Sequence, residues 1–240
     1  MELFAENTRN AFRSMRFMQL VVFSLLVLLL QAIFYQFPFM YLLIIFLYVN
    51  AMLVSLSASG ASTKLRWLMI VLLALSVITR TFAPAGQEAL FLVLSKGMIV
   101  VLLAVVIIKI SRYIANSQRV TTDALFAAVV VYILMALLFS QLYSIIYALL
   151  PGSISFPATD TDLEGRIADI AFNYFSFITI ATLGYGDITP RHPIAQMLAS
   201  IEAVIGQFYV AIVVAWLVSM FIAHREEARQ EAKAGRKKDG

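Results

Sequence analysis

Apolar runs of bilayer length recur along this 240-residue chain. A helix needs about 20 predominantly apolar residues to cross the hydrocarbon core of a membrane, so each run of about that length or longer is a candidate span. The six candidates lie near residues 17–35, 38–58, 66–83, 88–110, 122–150 and 194–223. This pattern predicts an all-α membrane protein with six transmembrane helices.

The composition excludes several classes of protein. Charged residues make up 13% of the chain and hydrophobic residues 62%, whereas soluble domains carry roughly a quarter charged residues. There are no cysteines, which excludes disulfide frameworks and thiolate sites, and neither histidine has a carboxylate at metal-ligand spacing. No nucleophile or general-base pair is visible, so we expect neither an enzyme nor a resident cofactor. The basic residues form no aromatic-interleaved stripe, so nucleic acid is not an expected partner.

The distribution of Lys and Arg predicts the orientation, because short cytoplasmic loops are enriched in both. When the loops between the six spans are assigned alternately to the two sides, one side collects fourteen basic residues and the other three. The three are Arg80, Arg166 and Arg191, while Lys96 lies inside a span. We therefore expect a multi-pass protein of the cell membrane with both termini in the cytoplasm.

The segment between the fifth and sixth spans is neither a span nor an ordinary loop. Residues 151–166 are turn-rich and acidic, and the apolar stretch from Ile167 to Ala181 is too short to cross a bilayer. It predicts a re-entrant helix, with Asp169 in the first turn, where a carboxylate complements the positive helix end. This helix leads directly into the sequence TLGYGD at residues 182–187.

The two glycines of that sequence stand at alternate positions. Gly184 and Gly186 can adopt left-handed backbone angles that Leu183 and Tyr185 cannot easily share, so successive carbonyls can face one axis. A row of carbonyl oxygens can replace the water shell of a cation. TLGYGD closely resembles the TVGYG loop of potassium channels, with Leu183 in place of Val.

The resemblance to the potassium channel superfamily covers roughly residues 122–224 and implies a pore domain. By this resemblance, the carbonyls of Thr182, Leu183, Gly184 and Tyr185, with the Thr182 hydroxyl, form stacked K+ sites. Gly186 and Asp187 would complete the outer mouth of this selectivity filter. One such loop cannot enclose an ion, so a homotetramer is implied, with other copies of the chain as its partners.

The sequence departs from the family at positions that support the filter. Tyr174 and Phe175 stand where relatives usually carry a Trp pair, and Phe175 cannot donate the indole hydrogen bond to the filter tyrosine. Some relatives also carry a Glu that pairs with the filter aspartate, where this chain has Ile178. Asp187 must therefore find another partner or stay hydrated.

The sixth span carries candidate gating residues. Gly206 stands where relatives have a hinge glycine, although close packing against the re-entrant helix would also require a residue without a Cβ. The helical spacing predicts that one face lines the cavity below the filter. This face consists of Gln207, Val210, Val214 and Val218.

Glu202 is an ionisable residue inside the same span, which by default indicates a function. Its carboxylate could concentrate cations near the cavity. The favoured alternative is structural, because similar channels bury a glutamate behind the filter to bond groups of the pore helix.

The charge pattern does not predict a voltage sensor. Such a sensor needs Arg or Lys at every third residue of the fourth span and acidic partners in the earlier spans, and neither occurs here. Lys96, inside the fourth span, is either a residual charge sensor or a lysine that snorkels outward to carbonyls, tyrosines or Glu88. The second interpretation is favoured, because a lone lysine without countercharges makes a poor sensor.

The sequence thus predicts a charge-poor four-span domain over residues 1–110, a cytoplasmic linker over 111–121, a pore domain over 122–224 and a short cytoplasmic tail over 225–240. The expected function is passive, K+-selective conduction without steep voltage dependence. A weakly selective cation channel and a subunit of a K+ uptake transporter are the alternatives. The basic tail is also a candidate contact for anionic lipids.

Overall fold

The structure is a computed structural model of the chain and describes residues 16–34, 62–116, 122–157 and 166–238. The described residues form helices and one two-stranded sheet. The helices are α1 (Arg16–Ile33), α2 (Thr63–Thr81), α3 (Glu88–Ala115), α4 (Thr122–Leu149), α5 (Arg166–Ile180) and α6 (Pro193–Lys238), and the strands are β1 (Ile154–Ser155) and β2 (Thr189–Pro190).

The all-helical fold class predicted from the apolar runs is confirmed. Within the described residues, three helical segments are long and apolar enough to cross a membrane: Glu88–Ala115, Asp123–Leu149 and Pro193–Val213. Helices α1 and α2 coincide with the predicted first and third spans. The predicted second span, residues 38–58, lies outside the described residues, so the count of six spans stays a prediction.

Helix α4 is the central element, since α1, α3, α5 and α6 all pack against it. A first hydrophobic cluster joins α1, α3 and α4 through buried residues such as Phe17, Val106 and Val131. The carboxylate of Asp123 accepts a hydrogen bond of 3.1 Å from the Phe17 N–H, which satisfies one of the unpaired donors at the start of α1. Helices α1 and α3 are therefore packed against α4 within one chain.

A second cluster surrounds α5. It consists of Phe139 and Tyr143 from α4, Phe172, Phe175 and Ile178 from α5, and Ile154, Ile188 and Ala195 from the segments that flank α5. Helix α5 has only 15 residues and is inserted between α4 and α6. The short helix predicted between the fifth and sixth spans is therefore present, and its re-entrant course in the membrane stays a prediction.

The small sheet joins the two segments that lead into and out of the α5 region. Strands β1 and β2 are antiparallel, with Ile154 opposite Pro190 and Ser155 opposite Thr189. The carbonyl of Ser153 also accepts bonds from the N–H groups of Arg191 (2.8 Å) and His192 (3.1 Å). These contacts fix the end of α4 relative to the start of α6.

Candidate ion-conduction site

The TLGYGD sequence lies in a non-helical loop between α5 and β2, and we call residues 181–187 the filter loop. All seven residues are exposed in the single chain. Two of them are large and apolar or aromatic, Leu183 at 57% exposed and Tyr185 at 69%. The loop thus presents its surface away from the packed core.

Backbone N–H groups of the filter loop bond to the end of α5. Leu183 and Gly184 both donate to the Ile178 carbonyl, at 2.8 and 3.2 Å, and Thr182 donates to Thr179 at 2.9 Å. These bonds satisfy carbonyls that the last turn of a helix leaves without partners.

The same bonds determine where the loop carbonyls point. The described residues contain no cis peptide, and in a trans peptide the N–H of one residue is antiparallel to the C=O of the residue before it. Because the N–H groups of Thr182, Leu183 and Gly184 point toward α5, the carbonyls of Ala181, Thr182 and Leu183 point away from it. The entry to the filter loop therefore presents a row of carbonyl oxygens on one side.

Left-handed backbone angles alternate along the loop. Thr182 (φ 57°), Gly184 (φ 53°) and Gly186 (φ 81°) have positive φ, whereas Leu183 and Tyr185 do not. The glycines behave as the sequence predicted. Thr182 was not predicted to do so, and it is the only non-glycine residue with positive φ among the described residues. Such a backbone costs an L-residue about 1–2 kcal/mol, so the surrounding bonds must offset that cost.

Asp187 has a hydrogen-bond partner, although Ile178 stands at the position where some relatives carry a Glu that pairs with this aspartate. The hydroxyl of Tyr174, on α5, donates to Asp187 Oδ2 at 2.7 Å. This hydrogen bond lowers the pKa of the Asp187 carboxyl below its ordinary range, and the bond from the Ile188 N–H acts in the same direction. Tyr174 thus connects the middle of α5 to the C-terminal end of the filter loop.

Phe175 does not contact the filter loop through a polar group. It is buried, and its ring packs edge-on against Tyr143 with the centroids 4.8 Å apart. Its contribution is apolar packing of α5 against α4.

Glu202 is fully buried behind α5. The Tyr143 hydroxyl donates to Oε2 at 2.6 Å, and the Ser176 hydroxyl of α5 donates to Oε1. Both carboxylate oxygens therefore have donors from neighbouring helices. This is the geometry that the structural interpretation of Glu202 requires.

Gly206 lies against the end of α5, and α6 is continuous through it. A Cβ at this position would fall 2.6 Å from Ile180 Cγ1 and would also overlap the Ile180 carbonyl oxygen. That oxygen accepts a hydrogen bond of 3.0 Å from the Tyr132 hydroxyl of α4. The contact favours the close-packing interpretation over the hinge.

The predicted cavity face is described only in part. Gln207 and Val210 are exposed in the single chain. The side chains of Val214 and Val218 lie outside the described part.

Lys96 is paired differently from the prediction. It is 6% exposed, and its Nζ lies 2.6 Å from Asp169 Oδ1, in the first turn of α5. The expected partners, carbonyls, tyrosines or Glu88 after snorkelling, were wrong, because a carboxylate 73 residues away in sequence folds next to Lys96. A buried lysine with a direct counter-ion has no need to reach the membrane surface.

Comparisons with known proteins agree with this geometry. A family model described as "Ion channel" matches residues 135–223, from the second half of α4 through most of α6. The "Two pore potassium channel c" of Oryza sativa subsp. japonica is 36% identical over 80 residues. The matched residues include the TLGYGD sequence, so the part of the chain that carries the filter loop is similar to ion channels.

The similarity is confined to part of each protein. The aligned residues are 33% of this chain and 16% of the rice channel, so the chain spans about a sixth of that relative. No solved structure matches the chain significantly.

Several residues around the filter loop were not identified, or were given another role, in the sequence analysis. Asn173 accepts a bond of 2.6 Å from Ser140, and the Ser176 hydroxyl also lies 2.6 Å from the Ala136 carbonyl, so its single proton is shared between that carbonyl and Glu202. Asp169, Asn173 and Ser176 recur at the spacing of one helical face within an otherwise apolar helix. That polar stripe was the signal available in the sequence.

Proposed function

We propose that the protein is the subunit of a K+-selective channel, through which K+ diffuses passively and without catalysis. The single observation that carries the proposal is the filter loop. Its N–H groups bond back to α5, so the carbonyls of Thr182 and Leu183 are free to bind a cation on the opposite side. With Gly184 and Tyr185 they would supply the K+ ligands, as carbonyl oxygens do in K+-selective filters.

The proposed assembly is a homotetramer. One filter loop presents carbonyls from one direction, and a desolvated cation needs ligands on all sides. The exposure of Leu183 and Tyr185 in the single chain supports the same conclusion, because neighbouring copies would cover them. Gln207, Val210, Val214 and Val218 would then line a common cavity below the filter.

The proposed membrane arrangement has six spans, with a charge-poor four-span domain over residues 1–110, a linker over 111–121, the pore domain over 122–224 and a cytoplasmic tail over 225–240. The predominance of Lys and Arg on one side supports cytoplasmic termini. Without a repeat of basic residues in α3, conduction should not depend steeply on voltage. The basic tail would contact anionic lipids.

A weakly selective cation channel is the second candidate, because Phe175 has no donor for the filter tyrosine. The Tyr174–Asp187 bond argues against it, since that bond attaches the outer end of the loop to α5 by another route. A K+ uptake transporter is less well supported, because similar transporters carry four dissimilar pore loops in one chain and a single TLGYGD occurs here.

Planar bilayers containing the purified protein, with K+ on one side and Na+ on the other, test the proposal. We expect a reversal potential far from zero in the direction of K+ selectivity, and a conductance that changes little with voltage. A reversal potential near zero would support the weakly selective channel, and a steep sigmoidal relation would overturn the gating proposal.

Gly184→Ala connects the selectivity to the filter loop. Alanine at φ 53° is strained by about 1–2 kcal/mol, so four copies should distort the filter and shift the reversal potential toward zero. Gly97→Ala in α3 is the matched control, because a Cβ there would meet nothing within 4 Å. Equal selectivity in both variants would contradict a role of Gly184 in the filter.

A further inference from the structure

The ion pair between Lys96 and Asp169 connects α3 to α5. Ion binding by the carbonyls of the filter loop does not itself require this contact. Lys96 lies on α3, in the four-span domain, and Asp169 lies in the first turn of α5. Lys96 is nearly buried and Asp169 is 26% exposed. Separating such a pair within a membrane protein would leave a charge poorly solvated, so the contact resists relative movement of the two helices.

A second contact from the same domain lies one helical turn further along α5. Asn173 donates to Gln31 Oε1 of α1 at 3.4 Å and accepts from Ser140 of α4 at 2.6 Å. Asp169 and Asn173 share one face of α5, since residues four apart are neighbours on a helix. The first half of α5 is therefore bonded to α1 and α3 as well as to α4.

The second half of α5 is bonded to the filter loop. The Ile178 carbonyl accepts from Leu183 and Gly184, and the Tyr174 hydroxyl donates to Asp187. A short helix of 15 residues with a continuous hydrogen-bond ladder moves as a rigid unit. A displacement at Asp169 would consequently displace both ends of the filter loop.

We propose that Lys96 is a filter-positioning residue: through its ion pair with Asp169, the four-span domain sets the position of α5 and so the fraction of time for which the filter conducts. This inference rests on the proposed function. It assigns to the charge-poor domain a role that needs no gating charges, because α3 acts on α5 by direct contact and not by moving through the membrane field.

Single-channel recording of purified channels in bilayers tests the proposal, because it observes only protein that has folded and assembled. Lys96→Met and Asp169→Asn should each change the ratio of open to closed time by about tenfold, a usual size for coupling between two sites. Lys96→Arg keeps the charge and a carboxylate-binding group, so it should behave like the wild type. Lys109→Gln removes a positive charge from the same helix far from Asp169 and should also leave the ratio unchanged.

The double variant Lys96→Met/Asp169→Asn distinguishes positioning from mere stability. It leaves no unpaired charge, so it should assemble even where a single variant does not, and its open-to-closed ratio should match the altered ratio of the single variants. A wild-type ratio in the double variant would overturn the inference while K+ conduction and the proposed function stand. A wild-type protein that conducts no K+ would overturn the proposed function, and the inference with it.

Discussion

Two hydroxyl groups, those of Tyr143 and Ser176, converge on the buried carboxylate of Glu202. A carboxylate accepts from both hydroxyls. A glutamine amide could accept from Tyr143 and donate one N–H to Ser176, whose proton would then go to the Ala136 carbonyl, but the described contacts offer no acceptor for its second N–H. Glutamate therefore suits this site better than glutamine. Through its two hydrogen bonds it links α4 and α5 to α6.

We therefore expect Glu202→Gln to destabilise the protein by about 1–3 kcal/mol, the cost of a buried polar group without a partner. Thermal unfolding of the detergent-solubilised protein measures the loss, and single-channel conductance should change little in the channels that remain assembled. Glu226→Gln, at an exposed position of α6, is the control. A large fall in conductance with unchanged stability would instead support a role of Glu202 in concentrating cations.

The bond from Tyr174 to Asp187 predicts a pH dependence. A lowered pKa means that the carboxylate stays charged, and the bond intact, until the pH falls below the ordinary range of an aspartate. Tyr174→Phe removes the donor and raises the pKa of Asp187. Acidification of the outer solution should then reduce K+ current at a higher pH in the variant than in the wild type.

Current recorded in bilayers while the pH of the outer solution is lowered measures this shift. Tyr147→Phe removes a phenol from α4 whose ring packs against Phe156, away from the filter loop, and should leave the midpoint unchanged. A midpoint that moves to lower pH in Tyr174→Phe would show that Asp187 does not control the acid response.

At the scale of the elements, the contact between α5 and α6 depends on Gly206. The Ile180 carbonyl, which accepts from Tyr132, occupies the space that a Cβ would need. Helix α6 can approach α5 this closely only where it carries a glycine.

Gly206→Ala should therefore destabilise the fold by about 1–3 kcal/mol per subunit, because the helices must separate or the Tyr132 bond must break. Thermal unfolding measures the effect. Gly97→Ala is the control and should be neutral or stabilising, by up to about 1 kcal/mol, since alanine is the better helix former. If Gly206→Ala were as stable as the wild type but altered gating, the hinge interpretation would replace close packing.

At the scale of the whole molecule, the proposed orientation is testable because the chain has no cysteine. We expect Pro157→Cys, between β1 and α5, to react with a membrane-impermeant maleimide on intact cells. Glu226→Cys should react only after permeabilisation, because the region after the sixth span is proposed to be cytoplasmic. The cysteine-free protein controls for background, and the reverse labelling pattern would contradict the orientation.

The helical class, the short helix before TLGYGD and the resemblance to the potassium channel superfamily could all be recognised from the sequence alone. These follow from local properties: the length of apolar runs, a helix too short to cross, and glycines at positions with positive φ. Such properties depend on residues that are close together in sequence, so they can be predicted from the sequence. The positive φ of Thr182 could not be predicted, because a threonine adopts such an angle only when the surrounding hydrogen bonds offset the strain.

Which polar groups meet depends on the tertiary fold. Lys96 and Asp169 are 73 residues apart, and nothing in either local sequence selects one as the partner of the other. The polar stripe of α5 was visible, but not which helix lies opposite each residue, because that depends on how α1, α3, α4 and α6 pack around it. An unpaired polar group is costly in a membrane, so the helices pack in a way that pairs these polar residues. The resulting contacts hold α5 and the filter loop in place.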